Sequence, residues 1–161
     1  MHPRAEALIR ELGLLPHPEG GHYRELYRSP LQVHPPDGRG DRAALTTIYF
    51  LLPAAEISRW HRVSSDEVWH HLEGAPLELV VSDPDLHRVQ RHLLGPLRDG
   101  LRPEVVVPPG HWQAARSTGD HTLVGCVVAP GFDFADFTML RDLPDAAERL
   151  RQRQPDAVDL L

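Results

Sequence analysis

Between residues 44 and 130 the chain is divided into eight short apolar runs, none long enough for a sizeable helix. They are "ALTTIYFLL" (44–52), "ISRWHRV" (57–63), "EVWHHL" (67–72), "LELVVS" (77–82), "HRVQRHLL" (87–94), "EVVVP" (104–108), "HWQAARS" (111–117) and "TLVGCVVAP" (122–130). β-branched residues are common in them, and the breaks carry "PD", "DG", "PPG" and "TGD". Strands of this length, punctuated by turn residues, build an all-β sandwich or barrel.

Only the two ends read as helix. Pro3 suits a first helical turn, Ala5, Leu8, Ile9 and Leu12 share a face, and Gly13 is a stop. A second helix is expected at about 144–153, "PDAAERLRQR", with proline at its start. "LPHPEGGHY" is too rich in Pro and Gly for regular structure. "YRELYRSP" reads as a strand with Tyr23, Glu25 and Tyr27 on one face and Arg24, Leu26 and Arg28 on the other. Residues 33–42 read as a mobile loop, and the tail "QPDAVDLL" as frayed or packed on a partner through Leu160 and Leu161. There is no internal repeat and no linker, so residues 1–161 are read as one domain with a core at about 20–140.

Composition narrows the partners. The formal net charge of -6 disfavours a binder of nucleic acid polymer. The single cysteine, Cys126, rules out an internal disulfide, and within "TLVGCVVAP" it reads as an inert buried thiol. No apolar run approaches the roughly 20 residues of a membrane helix. The N-terminal stretch has no uninterrupted apolar segment, and the expected compartment is the cytoplasm.

The stretch "SRWHRVSSDEVWHHLEG" (58–74) holds three histidines, two tryptophans and several carboxylates. That mixture fits a pocket wall better than a solvated surface or an apolar core. Strand alternation puts Arg59 with His61, and Glu67 with Trp69 and His71, leaving His70 on the opposite face. Asp66 and Glu67 are adjacent and face opposite sides, so they do not make an acid/base pair. Further on, "VVPPGHWQAA" turns tightly at Pro108 and Gly110 into a strand where Gln113 alternates with Trp112. The glycines of "PEGG" allow close backbone approach, and that loop is read either as a pocket rim or as an ordinary turn. "APGFDFADF" reads as a strand end and rim, with Phe132, Phe134 and Phe137 packed at a subunit interface or under the helices.

Taken together these motifs resemble a cupin. Glu67 and Gly74 match the E(X)6G of the first cupin motif, and Pro108 and Gly110 the PXG of the second. "PHPEGGHYRE", "WHRVSSDEVWHHLEG", "VPPGHWQAA" and "GCVVAPGFDFADF" together resemble one small cupin subfamily long labelled a domain of unknown function, close in structure to sugar-nucleotide epimerases. The resemblance implies a double-stranded β-helix, the cupin jelly-roll barrel, with short flanking helices at both termini. Arg59 stands where the pattern has its first histidine, Gln113 where it has the second-motif histidine, and Ser117 where it has Asn. If a divalent metal is bound, His61, Glu67 and Gln113 are its ligands by position.

The resemblance also implies roles. His61 would be the general base of a metal-independent epimerase or isomerase, Glu67 its orienting or acid partner, and Tyr23 a second proton donor. Arg59, His70, His71, Trp69, Trp112 and Gln113 would bind a sugar, a sugar nucleotide or a related small molecule. The alternatives are a non-catalytic small-molecule binder and a metal-dependent cupin enzyme. A homodimer is the expected assembly.

Overall fold

The computed structural model describes residues 1–161. Helix α1 (Pro3–Leu12) is capped at its start by His2, whose Nδ1 accepts from the Arg4 amide, and ends at Gly13 in the left-handed region with φ 62°. Thirteen strands follow: β1 (Leu15–Pro16), β2 (His22–Arg28), β3 (Gln32–Val33), β4 (Arg42–Ala43), β5 (Thr46–Pro53), β6 (Ile57–Arg62), β7 (Asp66–Gly74), β8 (Leu77–Ser82), β9 (Val89–Leu94), β10 (Glu104–Val107), β11 (Trp112–Ser117), β12 (His121–Ala129) and β13 (Thr138–Met139). Helix α2 (Pro144–Arg153) and a 3-10 segment (Pro155–Leu160) close the chain. No helix is long and apolar enough to cross a membrane.

Two antiparallel sheets form the barrel, in the orders β1-β2-β5-β12-β7-β10 and β13-β6-β11-β8-β9. This is the all-β barrel with terminal helices that the pattern of short runs predicts, in the jelly-roll form that the cupin resemblance implies. Between the sheets lies a core that includes Phe50, Leu52, Trp69, Leu77, Leu79, Leu94 and Val124. Helix α1 lays Ala5 and Leu8 against Leu51 and Leu123 on the outer face of the larger sheet. Helix α2 lays Ala146, Ala147 and Leu150 on the outer face of the smaller one, over Trp60, Trp112 and Ala114. Trp60, Trp69 and Trp112 are each 1% exposed. Withdrawing about 200 Å² per ring is worth at most about 5 kcal/mol each on the area scale, before entropy is counted.

The tail departs from expectation. Leu160 is fully buried and Trp60 Nε1 donates to the Ala157 carbonyl at 2.8 Å, so residues 155–160 pack on the chain's own barrel. Residues 32–43 form a small ribbon of β3 and β4. It is tied to the rim by Arg42, whose guanidinium donates twice to the Asp136 carboxylate, both at 2.8 Å.

Strand alternation fails at two places that matter. Along β6 and β11, Gln113 pairs with His61 and Ala115 with Ser58, so β6 carries one extra residue there. Along β2 and β5, Glu25 pairs with Ile48 and Tyr27 with Thr47, so β2 carries one extra residue as well. Each bulge reverses which side the following residues face. Arg28 therefore joins Glu25 and Tyr23 on the interior side, and Tyr27 turns outward, 51% exposed.

Candidate functional site

One end of the barrel holds a cavity of about 400 Å³, in the range of small-molecule sites. Its walls come from Thr46, Ile48 and Phe50 on β5, Glu67 and Trp69 on β7, and Cys126 and Val128 on β12. Tyr23, Glu25 and Arg28 of β2 form one side, and His61 of β6 the opposite one. The loop before β2 contributes His17 and Glu19, and the segment after β12 contributes Phe132, Asp133, Phe134 and Phe137.

Glu19 occupies the centre of the polar floor. The two glycines that follow it let the loop enter the barrel end: a Cβ on Gly20 would lie 2.0 Å from the Ile57 carbonyl oxygen, and φ there is 109°. Ser58 Oγ donates to Glu19 Oε1 at 2.7 Å. Glu19 Oε2 lies 3.2 Å from His61 Nε2 and 3.4 Å from His17 Nδ1. The Glu19 amide N–H points at the same His17 Nδ1, at 3.3 Å, so that nitrogen is an acceptor and His17 carries its proton on Nε2. Burial holds His17 down at about 3, assisted by its neighbour His61.

The tautomer of His61 follows in the same way. Its Nδ1 is 2.7 Å from the Arg59 carbonyl, which only accepts, so Nδ1 carries the proton and Nε2 faces Glu19 with a lone pair. Burial lowers the His61 pKa, against the opposing pull of Glu67 and of that backbone bond. Burial pushes the Glu19 carboxyl up to about 8, with the Ser58 hydrogen bond working the other way. At neutral pH a neutral carboxylic acid therefore faces a neutral imidazole. The His61 ring also stacks on Phe137, centroids 5.4 Å apart.

Glu67 is the second buried carboxyl. Gln113 Nε2 donates to its Oε2 at 2.5 Å, and Gln113 Oε1 accepts from Trp69 Nε1 at 2.9 Å. Burial raises Glu67 to about 7; the neighbouring His61 and the Gln113 bond hold it from rising further. A buried carboxyl near 7 is suited to give or take a proton at working pH. Cys126 beside it is fully buried, and burial pushes its thiol well above the ordinary range.

Of the catalytic and ligand-binding candidates named from the sequence, His61, Glu67, Tyr23 and Trp69 line the cavity together. The others lie outside its lining. Arg59 is kept from the interior by the β6 bulge, which puts Ser58, not Arg59, beside His61; its Nη1 instead reaches the Glu19 carbonyl at 3.4 Å. Gln113 is fully buried behind Glu67 and Trp69. Trp112 faces α2, with Nε1 donating to the Pro84 carbonyl at 3.2 Å. His70 is on the outer side near Glu104, at 3.7 Å. His71 lies past Trp69 with Nε2 3.2 Å from the Ala75 carbonyl.

His61, Glu67 and Gln113 do not compose a metal-ligand set. Both ends of the Gln113 amide are used, and His61 Nε2 is covered by Glu19. No group of three or more His, Cys, Asp or Glu side chains is arranged to hold an ion.

Sequence reasoning missed His17, Glu19 and Ser58 as site residues, and it packed Phe132, Phe134 and Phe137 at a subunit interface or under the helices, whereas they line the cavity. The signal available was "HPEGG", where two glycines allow a buried loop. The bulge that brings Ser58 into play leaves no mark in the sequence pattern.

The chain matches the family model described as Cupin superfamily (DUF985) over residues 6–140. It is 31% identical over 152 residues to the uncharacterized protein YML079W of Saccharomyces cerevisiae, covering 84% of this chain and 75% of that one. Among solved structures it is similar to a hypothetical protein from Leishmania major, with 34% identity, a TM-score of 0.83 and coverage of 97% and 95% of the two chains. Protein SO0799 from Shewanella oneidensis is similar to the same degree, with 34% identity, a TM-score of 0.82 and coverage of 98% and 96%.

Proposed function

The chain belongs to the cupin superfamily family designated DUF985, and from that premise we propose that its barrel houses an acid–base enzyme moving a proton at a carbon next to a carbonyl, as isomerases and epimerases do. One observation carries the reading. Two buried carboxyls, Glu19 at about 8 and Glu67 at about 7, share a cavity floor with a neutral imidazole. Groups whose environments push their pKa values toward neutrality and apart from one another are the usual equipment for proton transfer.

In this reading Glu67, as carboxylate, takes the proton from carbon. The C–H electron pair moves onto the carbonyl oxygen as an enolate. The Tyr23 hydroxyl meets the charge developing there. Return of the proton to the same carbon epimerises, and return to a neighbouring carbon isomerises. His61 holds the Glu19 proton in place through its Nε2 lone pair.

The test is α-proton exchange in deuterium oxide, followed by NMR across a panel of small carbonyl compounds. Wild-type protein should exchange at least one compound that binds the cavity, and Glu67→Gln should bind it without exchange. Compounds that bind in the cavity and never exchange would sink the enzyme reading in favour of a non-catalytic binder.

A homodimer is part of the same proposal. Tyr27, Thr47, Val127, Val68 and Val106 are aligned across the outer face of the larger sheet by its register, and Tyr27 and Val106 are 51% and 54% exposed. Such a row supports pairing of two copies on that face. Sedimentation equilibrium of the wild type against Val106→Lys tests it.

A further inference from the structure

We infer that the cavity takes a neutral, largely apolar small molecule that carries an aromatic ring and a carbonyl group, and that it does not take a sugar nucleotide. The carbonyl half of this rests on the acid–base reading above; the ring and the absence of charge rest on the lining itself.

The lining is aromatic on several sides. Tyr23, Phe50 and Trp69 stand on the barrel strands, and Phe132, Phe134 and Phe137 on the rim segment. Phe50 and Trp69 meet edge to face at 5.8 Å, and the three rim rings contact one another at 4.9 to 6.1 Å. Aromatic pairs prefer offset or edge-on contacts, and a planar ring entering between such walls finds both kinds. Hydroxyl-rich sugars need many paired donors and acceptors instead, because each buried polar group left unpaired costs about 1–3 kcal/mol. The floor offers few unspent ones. Ser58 is used on Glu19, and Gln113 on Glu67 and Trp69.

The charges point away from phosphate. Four carboxyl groups line the cavity, Glu19, Glu25, Glu67 and Asp133, against two guanidiniums, Arg24 and Arg28. Arg28 is already held bidentately by Glu25, at 2.8 and 3.0 Å, and also donates to the Phe132 carbonyl at 3.0 Å. Arg24 donates to the Leu12 carbonyl at 3.0 Å. The helix end at the mouth is the wrong one for an anion, since Gly13 ends α1 there and carbonyl oxygens carry the negative end of the dipole. A diphosphate would meet four acids and a helix C-terminus, with Arg24 as the one lining guanidinium that has no carboxylate partner.

At the deep end the Glu19–His61 pair, both members neutral, gives a cationic ligand no charge partner. Glu19 keeps its proton on the His61 lone pair at 3.2 Å, which leaves the Tyr23 hydroxyl on the lining as the donor suited to a carbonyl oxygen.

Three probes separate the outcomes: 1-phenylpropan-2-one, uridine diphosphate glucose and benzyltrimethylammonium. Binding is followed by calorimetry, and exchange of the ketone's methylene protons in deuterium oxide by NMR. The ketone should bind saturably with a dissociation constant of about 1 mM or below, and the other two should not. Phe137→Ala should weaken it at least about tenfold. Phe134→Ala, whose side chain is half exposed at the rim, should weaken it less and serves if the first variant folds poorly. Binding of the nucleotide or of the ammonium with the ketone silent overturns the inference, and so does silence from all three. Ketone binding without methylene exchange upholds the aromatic, neutral class and defeats the acid–base reading. Exchange of a bound sugar nucleotide does the reverse.

Discussion

Ser58 and His61 stand three residues apart on one strand and reach the same carboxyl group, Ser58 on one oxygen of Glu19 at 2.7 Å and His61 beside the other at 3.2 Å. On a regular strand, residues three apart face opposite sides. The extra residue in β6 cancels that alternation and turns the strand into a two-point grip on an acid supplied from 39 residues earlier.

The buried acid makes stability depend on pH with a defined sign. Glu19 ionises near 4.5 when unfolded and at about 8 when folded, so its contribution is complete below 4.5 and is lost as pH rises through 8. Glu67 acts in the same direction, with its loss running from 4.5 to about 7. His17 acts oppositely: its contribution is present above 6.5 and is lost as pH falls toward 3. Above 6.5 only the carboxyls act, and unfolding free energy should fall with pH by at most about 1.4 kcal/mol per unit for each. Urea unfolding from pH 6.5 to 8.5 should show this decline, and Glu19→Gln should flatten it. An unchanged slope in the variant refutes the assignment.

Glu67→Gln keeps the shape and the Gln113 contact while removing the titrating group. Any proton-transfer activity should fall by about 100-fold or more, with ligand affinity little changed. Steady-state kinetics with separate binding measurements decide it; a drop confined to KM points to a binding role.

Gln113→Leu should orphan the Trp69 indole N–H and strip Glu67 of its donor. A loss of about 1–3 kcal/mol in unfolding free energy is expected. The Glu67 pKa should rise, because the bond removed is one that lowers it. Infrared titration of the protonated carboxyl band reads that shift directly, and a downward shift would contradict the geometry.

Gly20→Ala and Gly110→Ala form a matched pair. Both positions have positive φ, 109° and 73°, but a Cβ at Gly110 meets open space and one at Gly20 meets the Ile57 backbone. Gly110→Ala should cost about 1 kcal/mol, and Gly20→Ala more than about 2, because the loop must leave its seat. Equal costs by denaturant unfolding would show that the loop is not held as described.

Leu160→Ala should destabilise by about 2–5 kcal/mol, as for any fully buried leucine. A neutral result in thermal unfolding would return the tail to the frayed state read from its sequence.

Much of the barrel was legible because strand length, turn residues and terminal prolines act locally. All eight runs between 44 and 130 correspond to strands, and both helices start at their prolines. The site was legible only where alternation held. Glu67 and Trp69 share a face because no bulge lies between them. Arg59 and His61 do not, because a single inserted residue reverses a strand face without changing composition. Glu19 was hidden for a different reason. Its partners lie 39 and 42 residues away, and the two glycines after it, which allow a buried loop, suit an exposed turn equally well.

The barrel strands can pair without residues 17–21, but the polar floor cannot exist until that loop has seated itself against β6. An early-synthesised segment is thus the last piece of the site to gain meaning, because its contacts wait for strands made much later. A closed barrel with the loop still undocked would hold Glu67 but lack the second carboxyl. Competence therefore follows the docking of one short loop, and the rate at which a refolding sample acquires its pH response clocks that docking apart from sheet formation.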